Sequence, residues 1–199
     1  MKKFDRLPPE KRKEEIQVAA LHLFNQKGFS ATTMENIISE VSLSKGGVYR
    51  LYPSTTAILS DLMITGMHLR NAFYEAEVQK AVAQGKELTL NLLVHMIADS
   101  LLLYPGFSSV YVEFLWEKQR NPELEALYTE ITKTTVKETT DLIRKCGAEE
   151  ILLSGEVSLE RLTDLMNATI LSLHTLKLQD YFAENKERAC ETITNILLK

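Results

Sequence analysis

The sequence has little of what disulfide frameworks, metal sites and membrane spans require. Its two cysteines, Cys146 and Cys190, lie far apart, form no CxxC pair and have no histidine nearby. We therefore expect two reduced, half-buried thiols rather than a disulfide or a metal site. No stretch approaches the roughly 18 uninterrupted apolar residues of a membrane span. Since the basic N-terminus also has no apolar run behind it, we expect a cytoplasmic protein with no membrane partner.

Motifs that carry enzymatic chemistry are also missing. The chain contains no GxSxG, GxxxxGK[ST], GxGxxG, HExxH or ExxH sequence. His95 and Asp99 stand one helical turn apart, but no third ligand follows at metal-binding spacing. We predict no enzyme, no cofactor and no metal, and a helical-bundle enzyme is the alternative function class that these absences argue against.

Charge is unevenly distributed along the chain. The net charge is -4, yet residues 1–60 hold nine Lys/Arg against six Asp/Glu, while the other 139 residues hold 14 against 21. A basic end on an acidic remainder suits a polyanion that is contacted by that end alone. A lysine-rich, solvated terminus would give the same count.

Strand patterns are absent as well, since no alternating segment of five or more residues is convincing. Helical periodicity dominates, and we predict an all-α fold of about nine helices. The first runs from Pro8-Pro9 to Gly28, and the second starts at Thr32 or Thr33 with Thr32 and Glu35 as a capping box. The others are expected at 44–53, from Ser54 or Thr55 to Gly85, and at about 87–104, 107–119, 122–146, 158–182 and 186–198.

The first three helices are short, and only Ser42-Leu43-Ser44 separates the second from the third. This pattern is typical of a helix-turn-helix, in which the third helix enters the DNA major groove. With Val48, Leu51 and Tyr52 facing inward, an outward surface remains that consists of Lys45, Gly46, Tyr49 and Arg50. A lysine, a small flat surface, a phenol and a guanidinium suit phosphates and base edges.

The stretch IQVAALHLFNQKGFSATTMENIISEVSLSKGGVYRLYPS resembles the N-terminal domain of TetR-family transcriptional regulators. The resemblance covers about residues 10 to 60 and rests on A-x-x-L-F-x-x-K-G-F, T-T-x-x-x-I and S-K-G-x-V-Y in the family's order and spacing. It implies DNA contacts at Thr33, Ser44, Lys45, Gly46, Gly47, Tyr49 and Arg50. Three positions depart from the family: Ser42 replaces a turn glycine, Thr55 a lysine at the head of helix four, and Leu51 an aromatic or histidine.

The resemblance also implies that two parts of the chain have different functions. Residues 1–53, which we call the head, would bind DNA, and residues 54–199, the body, would bind an effector and dimerise. The implied function is a homodimeric repressor that a small molecule releases from a palindromic operator. The alternative from a different class is an interaction module that does not read DNA, and the outward Lys45, Tyr49 and Arg50 argue against it.

Two apolar stripes near the C-terminus predict a dimer surface, because two such helices from each subunit form a four-helix interface. The predicted interface residues are Leu162, Leu165, Met166, Thr169, Ile170, Leu173, Ile193, Ile196 and Leu197. The same stripes would also serve to close the core of a monomer.

The effector site is predicted around a helix that is apolar nearly all round, LTLNLLVHMIADSLLLY. One polar row interrupts it, and aromatic residues follow in the next helix, so a lipophilic ligand is expected, with a cationic one as a variant that Glu113 and Glu117 would favour. The predicted ligand-binding residues are Met67, Asn91, His95, Asp99, Tyr111 and Trp116. Alternatively, the aromatics belong to the core and the carboxylates to a solvated face.

Overall fold

A computed structural model describes residues 8–145 and 158–197. This part of the chain contains ten helices joined by turns, and no strand, which confirms the all-α prediction. They are α1 (Pro9–Lys27), α2 (Met34–Ser39), α3 (Lys45–Leu51), α4 (Thr55–Ala83), α5 (Leu90–Leu103), α6 (Pro105–Glu117), α7 (Pro122–Lys145), α8 (Leu159–Thr175), α9 (Gln179–Glu184) and α10 (Lys186–Leu197).

Hydroxyl side chains define where many of these helices begin. Ser44, Ser54, Thr89 and Ser158 each accept a hydrogen bond from a backbone amide in the first turn of the helix that follows. Such caps satisfy donors that no intrahelical carbonyl can reach. Ser54 rather than Thr55 therefore caps α4.

The capping box of α2 is shifted by one residue from the prediction. Thr33 accepts from the Asn36 amide, and the Asn36 side chain accepts from the Thr33 amide. The hydroxyl of Thr32 instead donates to the Gly28 carbonyl. Asparagine therefore takes the reciprocal role of glutamate in this motif, and the predicted capping box of Thr32 and Glu35 is wrong.

The single helix predicted at 158–182 is wrong, since α8 ends at Thr175 and α9 begins at Gln179. Lys177 in the intervening turn has φ 55, a left-handed conformation that ends a helix. The turn at Pro105-Gly106 also differs from the prediction, because Pro105 opens α6 instead of separating two helices. Proline fits the first helical position, where its missing amide costs nothing.

A first core joins the head to part of the body. Buried side chains from α1, α2, α3 and the beginning of α4 pack with Val110 and Phe114 of α6 and with Leu124 and Ile131 of α7. Phe114 is fully buried among them. The head therefore packs on α6 as well as continuing into α4.

A second core lies within the body. It combines Tyr74 and Val78 of α4 with buried residues of α5, the end of α7, and α8, α9 and α10. Helix α4, with 29 residues, contributes to both cores, and at ~1.5 Å per residue it is about 44 Å long. The division of the chain at residue 53 stays a prediction.

Cys190 is fully buried rather than half-buried, and this burial raises the pKa of its thiol to about 11. Cys146 lies outside the described residues, as do Gly147 and the basic residues Lys2, Lys3 and Arg6. In the described ranges, no helix alone is long and apolar enough to cross a membrane. Helices α5 and α6 meet those criteria only as a pair, and they are bent by 95°.

The backbone at Lys177 gives a testable consequence. A non-glycine residue in the left-handed region is strained, and glycine removes that strain at the cost of greater freedom in the unfolded chain. We expect Lys177→Gly to raise the free energy of unfolding by about 0.5–1 kcal/mol in a urea titration. Lys177→Ala, which keeps a Cβ, is the matched control and should not stabilise; equal stabilisation by both variants would contradict the explanation.

Candidate DNA interface and effector cavity

Buried apolar residues hold α2 and α3 in place. Met34 and Ile37 of α2, Val48 of α3, and Tyr52, which ends α3, all contribute to the first core. The predicted inward orientation of Val48 and Tyr52 is thereby confirmed, and Leu51 is half-buried. The other side of α3 is therefore free to face solvent.

The exposed side of α3 carries the four residues expected there. Lys45, Gly46, Tyr49 and Arg50 are all exposed, and the Tyr49 side chain retains 38% exposure. The Lys45 ammonium lies 5.8 Å from the centre of the Tyr49 ring. A cation, a phenol and a guanidinium thus share one small surface.

The surface ion pair at this face is weak. Lys45 Nζ lies 3.3 Å from Glu35 Oε1, and both side chains are largely exposed. Backbone hydrogen bonding at its helix start, together with Lys45, holds the pKa of Glu35 below its ordinary value. Because exposed pairs contribute little to stability, Lys45 is available to another anion. Thr33 and Ser44 are exposed and cap the beginnings of α2 and α3.

The two glycines differ in their surroundings. A Cβ built on Gly46 would meet nothing within 4 Å, whereas one on Gly47 would lie 3.3 Å from the Ser44 hydroxyl and 3.6 Å from Leu43. Gly47 thus has a local packing reason to lack a side chain. Among the described residues, Gly46 has no such neighbour, and the surface beside it is open.

A polar cluster that the sequence analysis missed connects α1, α3 and α4. Tyr52 donates a hydrogen bond to Asp61 of α4, and Gln17 of α1 donates to the Tyr52 oxygen at 3.1 Å. Lys13 of α1 lies 3.2 Å from the same Asp61 carboxylate. Burial alone would raise the pKa of Asp61, but the hydrogen bonds from Tyr52 and Lys13 outweigh it and lower the pKa.

The carboxylates of α6 contact the head. Glu113 accepts a hydrogen bond from the Phe29 amide, and Glu117 accepts from the Ser30 hydroxyl at 2.7 Å. Burial raises the pKa of Glu113. Neither carboxylate lines the cavities described below. Both carboxylates therefore contact the head, and the interpretation of them as part of a cationic-ligand site stays a prediction.

The polar row of α5 faces α10 instead of a cavity. His95 Nε2 lies 2.7 Å from Glu187, Asp99 accepts from Lys186 at 2.6 Å, and the Asn91 side chain accepts from Thr194 at 3.4 Å. These contacts fix α10 against α5, and none of the three α5 residues lines the two cavities. Within the described part of the chain, no group of three or more potential metal ligands occurs.

Two adjoining cavities of about 50 and 90 Å³ lie among α4, α5, α6, α7 and α8. Both are bordered by Arg70, Tyr111, Ile131, Met166 and Asn167. Of the residues predicted to bind a ligand, Tyr111 borders both cavities and Met67 the larger one. Trp116 lies elsewhere, 57% exposed on α6.

The polar groups of these cavities are few. Arg70 Nη2 donates to the Thr135 hydroxyl at 2.8 Å. The Tyr111 hydroxyl donates to Asn167 at 3.0 Å, and the Asn167 amide donates to Tyr128 at 3.0 Å. Burial raises the pKa of Tyr111, so its hydroxyl stays neutral, while the nearby Arg70 charge opposes that shift.

Most of the predicted dimer residues contribute to the protomer's own interior. Leu162, Ile170 and Leu173 are buried, and Met166 borders the cavities. Leu165, Thr169 and Ile193 border a small apolar gap between α5 and the last three helices. The side chains of Ile196 and Leu197 lie outside the described residues.

Arg70 and Asn167 were not predicted from the sequence, although the sequence marks Arg70 as unusual. A lone arginine stands in DLMITGMHLRNAFY, three residues after Met67 and four before Tyr74, on the buried side of α4. Charged residues at such positions require a partner or a function. Asn167, on an amphipathic helix, gave no comparable sign.

Comparisons with known proteins agree with the assignment of a helix-turn-helix near the N-terminus. Residues 16–62 match the family described as bacterial regulatory proteins, tetR family. The chain is 35% identical over 120 residues to YfiR of Bacillus subtilis (strain 168), an uncharacterized HTH-type transcriptional regulator, in an alignment that covers 57% of this chain and 55% of YfiR. The chain thus spans about half the length of this curated relative.

Two solved structures share the fold. Thermus thermophilus FadR, a TetR-family transcriptional repressor in complex with lauroyl-CoA, has a TM-score of 0.62 and 23% identity, covering 94% of this chain and 93% of that chain. A proposed transcriptional regulator from Saccharomonospora viridis, in complex with choline, has a TM-score of 0.60 and 16% identity, covering 94% of both chains. At these identities the likeness establishes the fold.

The Asp61 cluster predicts a pH-dependent contribution to stability. Because the folded-state pKa is lowered, the stabilisation is present above the unfolded pKa, near 3.8, and is lost as pH falls through the folded pKa. We expect Asp61→Asn to reduce the free energy of unfolding by about 1–2 kcal/mol at about pH 7. Urea titrations should show the same deficit at about pH 5 and a smaller one below about pH 4.

Asp164→Asn is the matched control, because Asp164 is exposed on α8. It should leave stability unchanged at all three pH values. A deficit for Asp61→Asn that does not vary with pH would show that the charge of Asp61 is not what stabilises the cluster.

Proposed function

We propose that this chain, which belongs to the tetR family of bacterial regulatory proteins through its residues 16–62, is a homodimeric transcriptional repressor. It binds a palindromic DNA operator with α3 and releases it when a small molecule occupies the body. The observation that carries the proposal is the joint exposure of Lys45, Gly46, Tyr49 and Arg50 on one side of α3. DNA as the target places the protein in the cytoplasm.

The chemistry of this surface suits duplex DNA. Arg50 can form paired hydrogen bonds with a guanine edge, and Lys45 and the Tyr49 hydroxyl can bind phosphates. The open space at Gly46 allows the backbone of α3 to approach the duplex closely. The excess of basic residues in residues 1–60 supports the same orientation, with the head toward DNA.

Helices α4 and α6 offer a path from the cavities to the head. Both line the larger cavity, through Met67 and Phe107 among others. Through its Asp61, α4 contacts the end of α3, and through its Glu113, α6 contacts the loop after α1. A ligand that displaces α4 would therefore shift the end of α3, and one that displaces α6 would shift the loop between α1 and α2.

In a dimer, such a displacement would change the distance between the two α3 helices. Two recognition helices related by a two-fold axis must match successive major grooves ~34 Å apart. Apolar side chains stay exposed where α8 meets α9, namely Leu176, Leu178 and Tyr181. We propose that this surface, with the outer faces of α8 and α10, meets the partner subunit.

Three substitutions in α3 test DNA binding. Selection from a random duplex pool supplies the DNA, and anisotropy titration measures its affinity. We expect Tyr49→Ala and Gly46→Ala to weaken binding about tenfold or more, the latter because its new methyl group obstructs the duplex. Arg50→Ala should cost about 1–3 kcal/mol and relax base preference at one position.

Stability measurements separate loss of contact from loss of fold. Gly46→Ala should leave the free energy of unfolding unchanged or raise it by up to about 1 kcal/mol, since alanine favours helix. Gly106→Ala is the matched control: Gly106 is also the second residue of its helix, and a Cβ there would meet only Asn25, at 3.5 Å. Wild-type affinity in all three α3 variants would refute the DNA surface.

The dimer surface has its own test. We expect the double variant Leu176→Ser, Tyr181→Ser to raise the dimer dissociation constant about tenfold or more, because it removes exposed apolar groups from the interface. Sedimentation equilibrium measures this constant. Val18→Ser is the matched control, since Val18 on α1 has the same 64% exposure as Leu176. A monomeric wild-type protein, or equal effects of both variants, would contradict the proposed interface.

A further inference from the structure

Arg70 is an unusual residue for the centre of the body. It lies on α4 and borders both cavities, whose walls are otherwise mostly apolar. Its guanidinium donates to the neutral hydroxyl of Thr135 at 2.8 Å, while its buried Nε has no hydrogen-bond partner among the described residues. The described residues stabilise a charge in this position only partly.

No carboxylate balances Arg70 at the cavities. Among the described residues that border them, none is an aspartate or glutamate. The neighbouring polar groups are neutral. The Tyr111 hydroxyl is hydrogen-bonded to Asn167, and the Tyr74 hydroxyl to Ser100. Burial raises the pKa of Tyr74, and the Arg70 charge acts against that shift, as expected for a guanidinium close to the phenol.

The space beside Arg70 accepts an apolar body. The smaller cavity is lined by residues such as Leu93, Met96 and Leu162, and the larger one by Met63, Leu101 and Phe107. Their volumes, about 50 and 90 Å³, together approach the roughly 150 Å³ of a cavity that holds a benzene ring. The two cavities together therefore offer about the space of a single ring, and a longer body requires their walls to move.

We infer that the effector is a monocarboxylate with a small apolar body, its carboxylate paired with Arg70 and its body in the two cavities. The inference rests on the proposed effector site and specifies the chemistry of its ligand. A guanidinium binds a carboxylate through paired, charge-assisted hydrogen bonds, and the buried Nε supplies one of the donors.

Calorimetric titration of the full-length protein tests the charge of the ligand. The probes are 3-phenylpropanoate and octanoate, each compared with its own primary amide and with the corresponding primary ammonium compound. We expect each carboxylate to bind about tenfold or more tightly than its amide, and the ammonium compounds to bind least. An amide or ammonium compound that binds as tightly as its carboxylate, or a wild-type protein that binds neither carboxylate, overturns the inference.

Variants of Arg70 test its role. Arg70→Met should lower carboxylate affinity about tenfold or more and leave amide affinity unchanged, while Arg70→Lys should retain part of the preference for carboxylates. Arg70→Met should also stay folded, because replacing a poorly paired charge by an apolar side chain is tolerated. The control Arg120→Met, at an exposed position outside the cavities, should behave as wild type. Undiminished carboxylate binding by Arg70→Met overturns the inference.

The DNA titrations keep this inference apart from the proposed function. If the protein binds a selected duplex but no carboxylate, the ligand assignment fails and the proposed DNA binding stands. If carboxylates bind through Arg70 but no duplex is ever selected, the ligand site stands and the repressor function fails. Release of the duplex by octanoate from the wild type, but not from Arg70→Met, supports both.

Discussion

Insertion of α6 into the core of the head is the constraint on which the rest of the structure depends. Val110 and Phe114 are buried among residues of α1 to α4, so the head has no complete core without this body helix. One turn of α6 also presents Glu113 to the Phe29 amide. Since packed interiors deform little, a shift of α6 would disturb the packing of the head. The proposed coupling between the two regions rests on this shared core.

Helix α4 combines three tasks along one length of chain. Near its beginning Asp61 is bonded to Tyr52 at the end of α3, and two to three turns later Arg70 borders the cavities. Further on, Tyr74 and Val78 belong to the second core. In the proposed function, a ligand that displaces α4 at Arg70 would move the part of the helix that contacts the end of α3 through Asp61.

Features that depend on neighbouring residues in the sequence were predictable, whereas features that depend on distant ones were not. The helix-turn-helix and the outward face of α3 follow from apolar spacing and from capping residues such as Ser44. By contrast, Glu113 meets Phe29 across 84 residues, and His95 meets Glu187 across 92. Helical periodicity gives the side of a helix on which such a residue lies, but not the partner it faces. For this reason the contacts of the α5 polar row with α10 were not predicted, and Arg70 was overlooked.

The exposure of Trp116 has a practical consequence. It is the single tryptophan of the chain, and it stands on α6 between Glu117 and Leu115, one of them bonded to the head and the other buried. Its indole borders neither cavity, so a ligand held within them would not touch it. A change in its emission on adding a ligand would report a movement of α6 itself. The molecule thus carries an intrinsic optical label at the junction between its two regions.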